Sequence, residues 1–103
     1  MGFLLFDQFS YVHLASGVIA FYWGFSFYVW MILHFLFELF ENSKVGMFLI
    51  NNNIAASWPG GKPIPDTWLN ILGDNLSAAI GWISAFILNY YGDKLGWYKY
   101  HIK

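Results

Sequence analysis

This 103-residue sequence holds little charge, no cysteine and no arginine. Charged residues make up 11% of it, less than half the roughly 25% usual in a soluble domain. The absence of cysteine removes disulfides, thiolate metal sites and thiol catalysis. All five basic residues are lysines and they are scattered, so the basic footprint of a nucleic-acid partner is missing. In place of charge stand apolar side chains: 58% of the chain is hydrophobic and 23% aromatic. A domain of this size buries only about two-thirds of its surface. Eleven Phe, seven Tyr and six Trp would leave much apolar surface wet, which argues for a chain embedded in lipid. Intrinsic disorder is excluded, because its composition is the reverse.

Outside His13 and His34, residues 8–37 carry no ionisable group. Thirty helical residues would span about 45 Å against a hydrocarbon core of about 30 Å. One long tilted helix satisfies that run, but Gly24 near its middle favours a hairpin. The hairpin reading gives a first helix over 3–23 and a second over 25–42, with Tyr22, Trp23, Tyr28 and Trp30 at the membrane surface. Residues 43–65 form a polar, turn-rich loop that contains all three prolines. Within it Val45 to Ile50 is apolar but too short to span, and is expected at the interface or folded back on the bundle. A third helix is expected over 66–91, starting at Pro65-Asp66-Thr67. The tail 92–103, with Trp97, Tyr98 and Tyr100 among lysines, suits the headgroup region. The expectation is therefore one all-α, multi-pass membrane domain of about three transmembrane helices. Its N-terminal stretch lacks the basic region of a secretory signal, and Asp7 interrupts its apolar run. Gly73, Ser77 and Gly81 recur every four residues, a small-residue stripe on which another helix can pack closely.

The polar residues inside these apolar helices are the informative ones, because a charge at mid-membrane costs about 2.5–3.5 kcal/mol on insertion scales. His34, Glu38 and Glu41 share one face of the second helix, with Asn42 beside them. Asp66, Asn70 and Asp74 share one face of the third. The 43–65 loop joins those two helix ends, so both faces lie towards the same side of the membrane. His13 on the first helix is a third contributor to this polar cluster. Several origins fit. Glu38 and Glu41 can reach the headgroups by snorkelling, and Asp66 can serve as a helix cap. Alternatively the carboxylates converge, in which case they repel unless they hold protons or a cation. His34, Glu38, Glu41, Asp66 and Asp74 then offer the imidazole and oxygen ligands of a divalent metal site. A lipid-headgroup site without metal and a polar contact face for a partner subunit use the same residues. His101 is expected to be a solvated tail residue, and Trp58-Pro59-Gly60-Gly61 a turn.

His13-xxx-Gly17 and Asp66-xxx-Asn70-xx-Gly73 resemble the first and last helices of VanZ-like small membrane proteins. Glu38, Glu41-Asn42-Ser43, and Asp66, Asn70 and Asp74 are similar to the pattern of a related, uncharacterised family of small bacterial integral membrane proteins. The likeness covers about residues 9–88. It departs from that family at His34, where an acidic residue is usual, and in its short first hairpin. It implies the three-helix topology and the polar cluster, and no assigned reaction. Two functions compete. One is an accessory or structural subunit of a larger membrane assembly or a homo-oligomer, resting on the small size, the aromatic surface and the small-residue stripe. The other is a membrane protein with an acidic intramembrane site, metal-dependent or not, that binds or acts on a lipid or lipid-linked headgroup. Membrane lipids are partners in both.

Overall fold

Local sequence signals place the helix ends. Ser26 accepts a hydrogen bond from Val29 N (3.3 Å), Ser43 from Gly46 N (3.0 Å) and Thr67 from Asn70 N (3.2 Å), each a side-chain N-cap. They open helices α2 (Phe27–Glu41), α3 (Lys44–Leu49) and α4 (Trp68–Leu95); α1 (Ser10–Tyr22) precedes them. Gly96, left-handed at φ +77°, closes α4. These features come from a computed structural model that describes residues 2–54, 62–97 and 99. The described residues contain helices and no strand.

The 8–37 run is a hairpin, and Gly24 makes it: its φ of +90° suits glycine alone at the turn. The helices are shorter than the apolar run predicts. α1 starts at Ser10 rather than residue 3, because the segment before it is occupied elsewhere. Its carbonyls serve the start of α4: Gly2 O accepts from Thr67 N (2.7 Å) and Leu4 O from Asn70 Nδ2 (2.7 Å). Asp7 then turns the chain into α1, accepting from Phe9 N while its own N–H donates to Ser10 Oγ, both at 2.9 Å. The expected 43–65 loop is not all loop. Val45 to Ile50 lies mostly within α3, which folds back on the end of α2 with Gly46 against the Phe40 carbonyl, and a π-helical turn follows at Ile50–Ile54. α4 continues past the expected end at 91 to Leu95. The Trp58 turn, Tyr98, Tyr100 and His101 lie outside the described residues.

α1 runs parallel to α4 and packs along it, and α2 runs antiparallel to both. The small-residue stripe makes the α1–α4 approach. A Cβ on Gly73 would collide with the Leu5 carbonyl and one on Gly81 with the Leu14 carbonyl; on the facing helix, a Cβ on Gly17 would strike the Ala78 carbonyl. Gly81 thus accommodates this chain's own α1, and Gly73 the segment that leads into it. Tyr22, Trp23 and Tyr28 stand exposed at the hairpin end. Trp30 instead turns inward and donates Nε1–H to the Ala78 carbonyl (3.2 Å).

The burial pattern is inverted relative to a water-soluble bundle. Among the described residues the buried apolar ones are few and mostly small: Ala20, Ile50, Ile71, Ala78 and Ala85. The buried polar set is larger in both number and volume: His34, Glu38, Glu41, Lys62, Asn70, Asp74 and Ser77. Leu, Ile, Phe and Trp side chains line the outside along α1, α2 and α4. Among the described residues one helix, Trp68–Leu95, is long and apolar enough to cross a membrane. α1 and α2, at 13 and 15 residues, are roughly 20 and 22 Å long.

Candidate functional site

α1 and α2 both pack on α4 but barely touch each other. Between them lies a cavity of about 350 Å³. Phe9, Val12, Leu33 and Phe37 form apolar lips; Ser16, Trp30 and a set of ionisable and amide side chains (Asp7, His13, His34, Glu41, Lys62, Asp66, Asn70 and Asp74) line the rest. Glu38 lies behind the histidines and is the largest completely buried side chain, at 0% exposure. The two acidic stripes and His13 therefore do converge.

The histidine geometry is directional. Asn75 Nδ2 donates to the Ile71 carbonyl (2.9 Å), which leaves its Oδ1 facing His34 Nδ1 at 2.8 Å. An amide oxygen only accepts, so His34 carries its proton on Nδ1 and, as a neutral ring, presents a bare Nε2. That Nε2 lies 2.9 Å from His13 Nδ1. Glu38 Oε1 approaches the same point, 3.4 Å from His13 Nδ1 and 3.9 Å from His34 Nε2. On its far side, His13 Nε2 is 3.3 Å from Asp74 Oδ2.

Two carboxylate oxygens in this cluster, Glu38 Oε1 and Asp74 Oδ1, are buried and accept no hydrogen bond among the described residues. Leaving such an acceptor unpaired costs about 1–3 kcal/mol, and more if it is charged. Asn42 orients Glu38 from the other side. It caps α2, donates from Nδ2 to the Glu38 carbonyl (2.9 Å) and towards Oε2 (3.4 Å), and accepts from Asp66 N (2.8 Å). This one side chain ties the C-terminus of α2 to the start of α4.

Glu41 separates from the rest of the sequence-level metal set. Its Oε1 lies 3.7 Å from Lys62 Nζ, which also meets Asp66 Oδ2 at 2.6 Å. Glu38, Asp66 and Asp74 still bring one oxygen each within 4.8 Å of one another, and His13, His34 and Glu38 do the same with their ligand atoms. His13 takes the place expected of Glu41. Asp66 stands one residue before the α4 cap, which is Thr67.

Sequence reasoning missed three contributors. Lys62 is the buried cation of the site, held by paired bonds between its backbone and the Asn51 side chain (2.6 and 2.8 Å). Nothing local marks it apart from being a lysine in a polar loop. Asn75 follows Asp74 inside an uncharged run, where an amide on an apolar helix could have been flagged. Asp7 accepts from Asn70 Nδ2 (3.2 Å); its interruption of the apolar N-terminus was the available signal.

Comparison of the chain with protein-family models, curated proteins and solved structures finds no match.

Proposed function

We propose that this chain is a small multi-pass membrane protein whose α1, α2 and α4 lie in the bilayer around a binding cleft for an amphipathic lipid or lipid-linked molecule. The observation that carries this reading is the cleft itself, with apolar lips at Phe9, Val12, Leu33 and Phe37 and a charged, buried floor. The inverted burial pattern supports the membrane part, since intramembrane ionisable groups face a bundle interior or cavity. An apolar tail fits between the lips. The cavity lining has more carboxyl groups (Asp7, Glu41, Asp66, Asp74) than cations (Lys62), which favours a headgroup that donates hydrogen bonds, such as one bearing hydroxyls. Of the residues of the VanZ-like resemblance, His13, Asp66 and Asn70 line the cleft, Gly17 sits at the α1–α4 contact, and Gly73 lies against Leu5 just before α1.

The test is photolabelling in vesicles with a neutral glycosyl diacylglycerol that carries a diazirine on its acyl chain. Labelling is expected to concentrate on Phe9, Val12, Leu33 and Phe37 and to fall several-fold in a Val12→Trp, Leu33→Trp double variant. The outward Ile80 and Ile87 should label unchanged in that variant. Uniform labelling of lips and outer faces, insensitive to the tryptophans, would remove the reading.

An accessory-subunit role is the second reading. The exposed aromatic and aliphatic belt, with Tyr11 and Tyr28 more than three-quarters exposed, suits contact with neighbouring helices as well as lipid. Gly73 and Gly81 no longer argue for it, because this chain's own Leu5 and Leu14 carbonyls rest on them. Migration as a bare 12 kDa species on a native gel after mild solubilisation would sink it.

A further inference from the structure

We infer that the buried apex of the cleft is a divalent transition-metal site formed by His13 Nδ1, His34 Nε2 and Glu38 Oε1, with a fourth position open to the cavity. Three observations meet there.

The first is spacing. Zinc bound tetrahedrally at about 2.0–2.1 Å holds its nitrogen and oxygen ligands about 3.3–3.4 Å apart. The three atoms here stand 2.9, 3.4 and 3.9 Å from one another, a triangle of that size. They come from two helices, with His34 and Glu38 one turn apart on α2 and His13 opposite them on α1.

The second is the unsatisfied carboxylate. Glu38 Oε1 is buried, accepts no hydrogen bond and points at two imidazole nitrogens. A lone pair kept dry in that way lacks the water that would otherwise solvate it. A cation among the three atoms supplies the missing interaction for all of them together.

The third is the outer layer. Metal-bound histidines donate their other ring N–H to an amide, carbonyl or carboxylate, which fixes the tautomer. His34 Nδ1 has Asn75 Oδ1 at 2.8 Å, and Asn75 is itself locked by the Ile71 carbonyl. His13 Nε2 has Asp74 Oδ2 at 3.3 Å. Each ring thus has its outward nitrogen engaged and its inward nitrogen aimed at Glu38. A proton shared between the rings accounts for the 2.9 Å contact but leaves Glu38 Oε1 without a partner.

Two imidazoles and one carboxylate suit zinc and its neighbours in the first transition series better than magnesium or calcium, which take oxygen shells. Both histidines line the cavity, so the fourth position falls on its side and can accept water or an oxygen of a hydroxyl-bearing headgroup. This inference deepens the cleft reading by giving its floor a Lewis acid, and it rests on that reading only for the identity of the fourth ligand.

The test uses the full chain in detergent, purified without a histidine tag and stripped with a chelator. Titration with Co²⁺ is expected to give one ion per chain with the intense visible bands of four-coordinate cobalt, and Zn²⁺ should displace it. X-ray absorption of the zinc form should show imidazole scattering. Glu38→Gln and His34→Gln should each weaken zinc at least a hundredfold. Asn75→Leu, which touches no metal, should weaken it about ten- to a hundredfold. Asp93→Asn, far along α4, should leave affinity unchanged. Absence of stoichiometric uptake by the native chain overturns the inference. So does equal uptake by Glu38→Gln with native helix content, or an absorption spectrum without imidazole. Metal uptake is read without lipid, and photolabelling can be read on the metal-free chain, so either proposal can fail while the other stands.

Discussion

His13 Nδ1 lies 2.9 Å from His34 Nε2, and this contact joins α1 to α2 where the two helices otherwise hardly meet. Their rings approach edge to face, with centroids 5.0 Å apart. Both rings line the cleft, so its chemistry and its shape depend on the same residues.

Asn75 holds that pair in register through His34. Asn75→Leu keeps the branching of the side chain at Cγ but removes the acceptor for His34 Nδ1–H. The variant should lose about 1–3 kcal/mol of stability, read as a lowered melting temperature of the metal-free protein in detergent. An unchanged melting temperature would mean that His34 finds its tautomer without Asn75.

Lys62 stands between Glu41 and Asp66, all three nearly buried at their side chains. Removing one partner of a buried ion pair costs about 3–5 kcal/mol, so Lys62→Met should be strongly destabilising. Adding Glu41→Gln to it should recover part of the loss. A double-mutant cycle measures the coupling, and strict additivity would show that Glu41 and Lys62 act independently.

Gly81 lets the Leu14 carbonyl rest on α4. Gly81→Val forces α1 away and should cost about 1–3 kcal/mol by overpacking, whereas Ile80→Val on the exposed neighbouring face should change little. The comparison is made by thermal unfolding in detergent. If both variants behave alike, the α1–α4 approach is looser than its geometry requires.

The absence of native cysteine allows topology to be read by single introduced thiols. Trp23 lies at the tip of the α1–α2 hairpin and Lys44 just beyond α2, both exposed. In oriented vesicles, Trp23→Cys and Lys44→Cys should react with a membrane-impermeant maleimide from opposite sides. Reaction of both from one side would mean that the hairpin dips into the bilayer without crossing it.

The parts of the fold that could be read from the sequence are those set by local chemistry. Gly24 broke the long apolar run, Thr67 followed Asp66 at a helix start, and His34, Glu38 and Glu41 recurred at helical spacing. The shared end of the two acidic faces followed from the single loop that joins them. The missed features depend on residues distant in sequence. The first helix begins at Ser10 because Thr67 and Asn70 take the carbonyls of Gly2 and Leu4, more than sixty residues away. Lys62 enters the site because Asn51 clasps its backbone, and Glu41 pairs with that lysine inside the cavity.

Composition by itself showed that this chain has little charge and much aromatic surface, and that its few ionisable groups stand among apolar residues. Helical periodicity put them on two faces. Only the tertiary structure decided which atoms meet. Close packing of α1 on the glycines of α4 left α2 standing off, and the gap between α1 and α2 became the cleft. Hydrogen bonding by Asn75 then fixed which nitrogen of His34 faces Glu38. Direction of that kind depends on the orientation of side chains from three helices, which no spacing within one helix can encode.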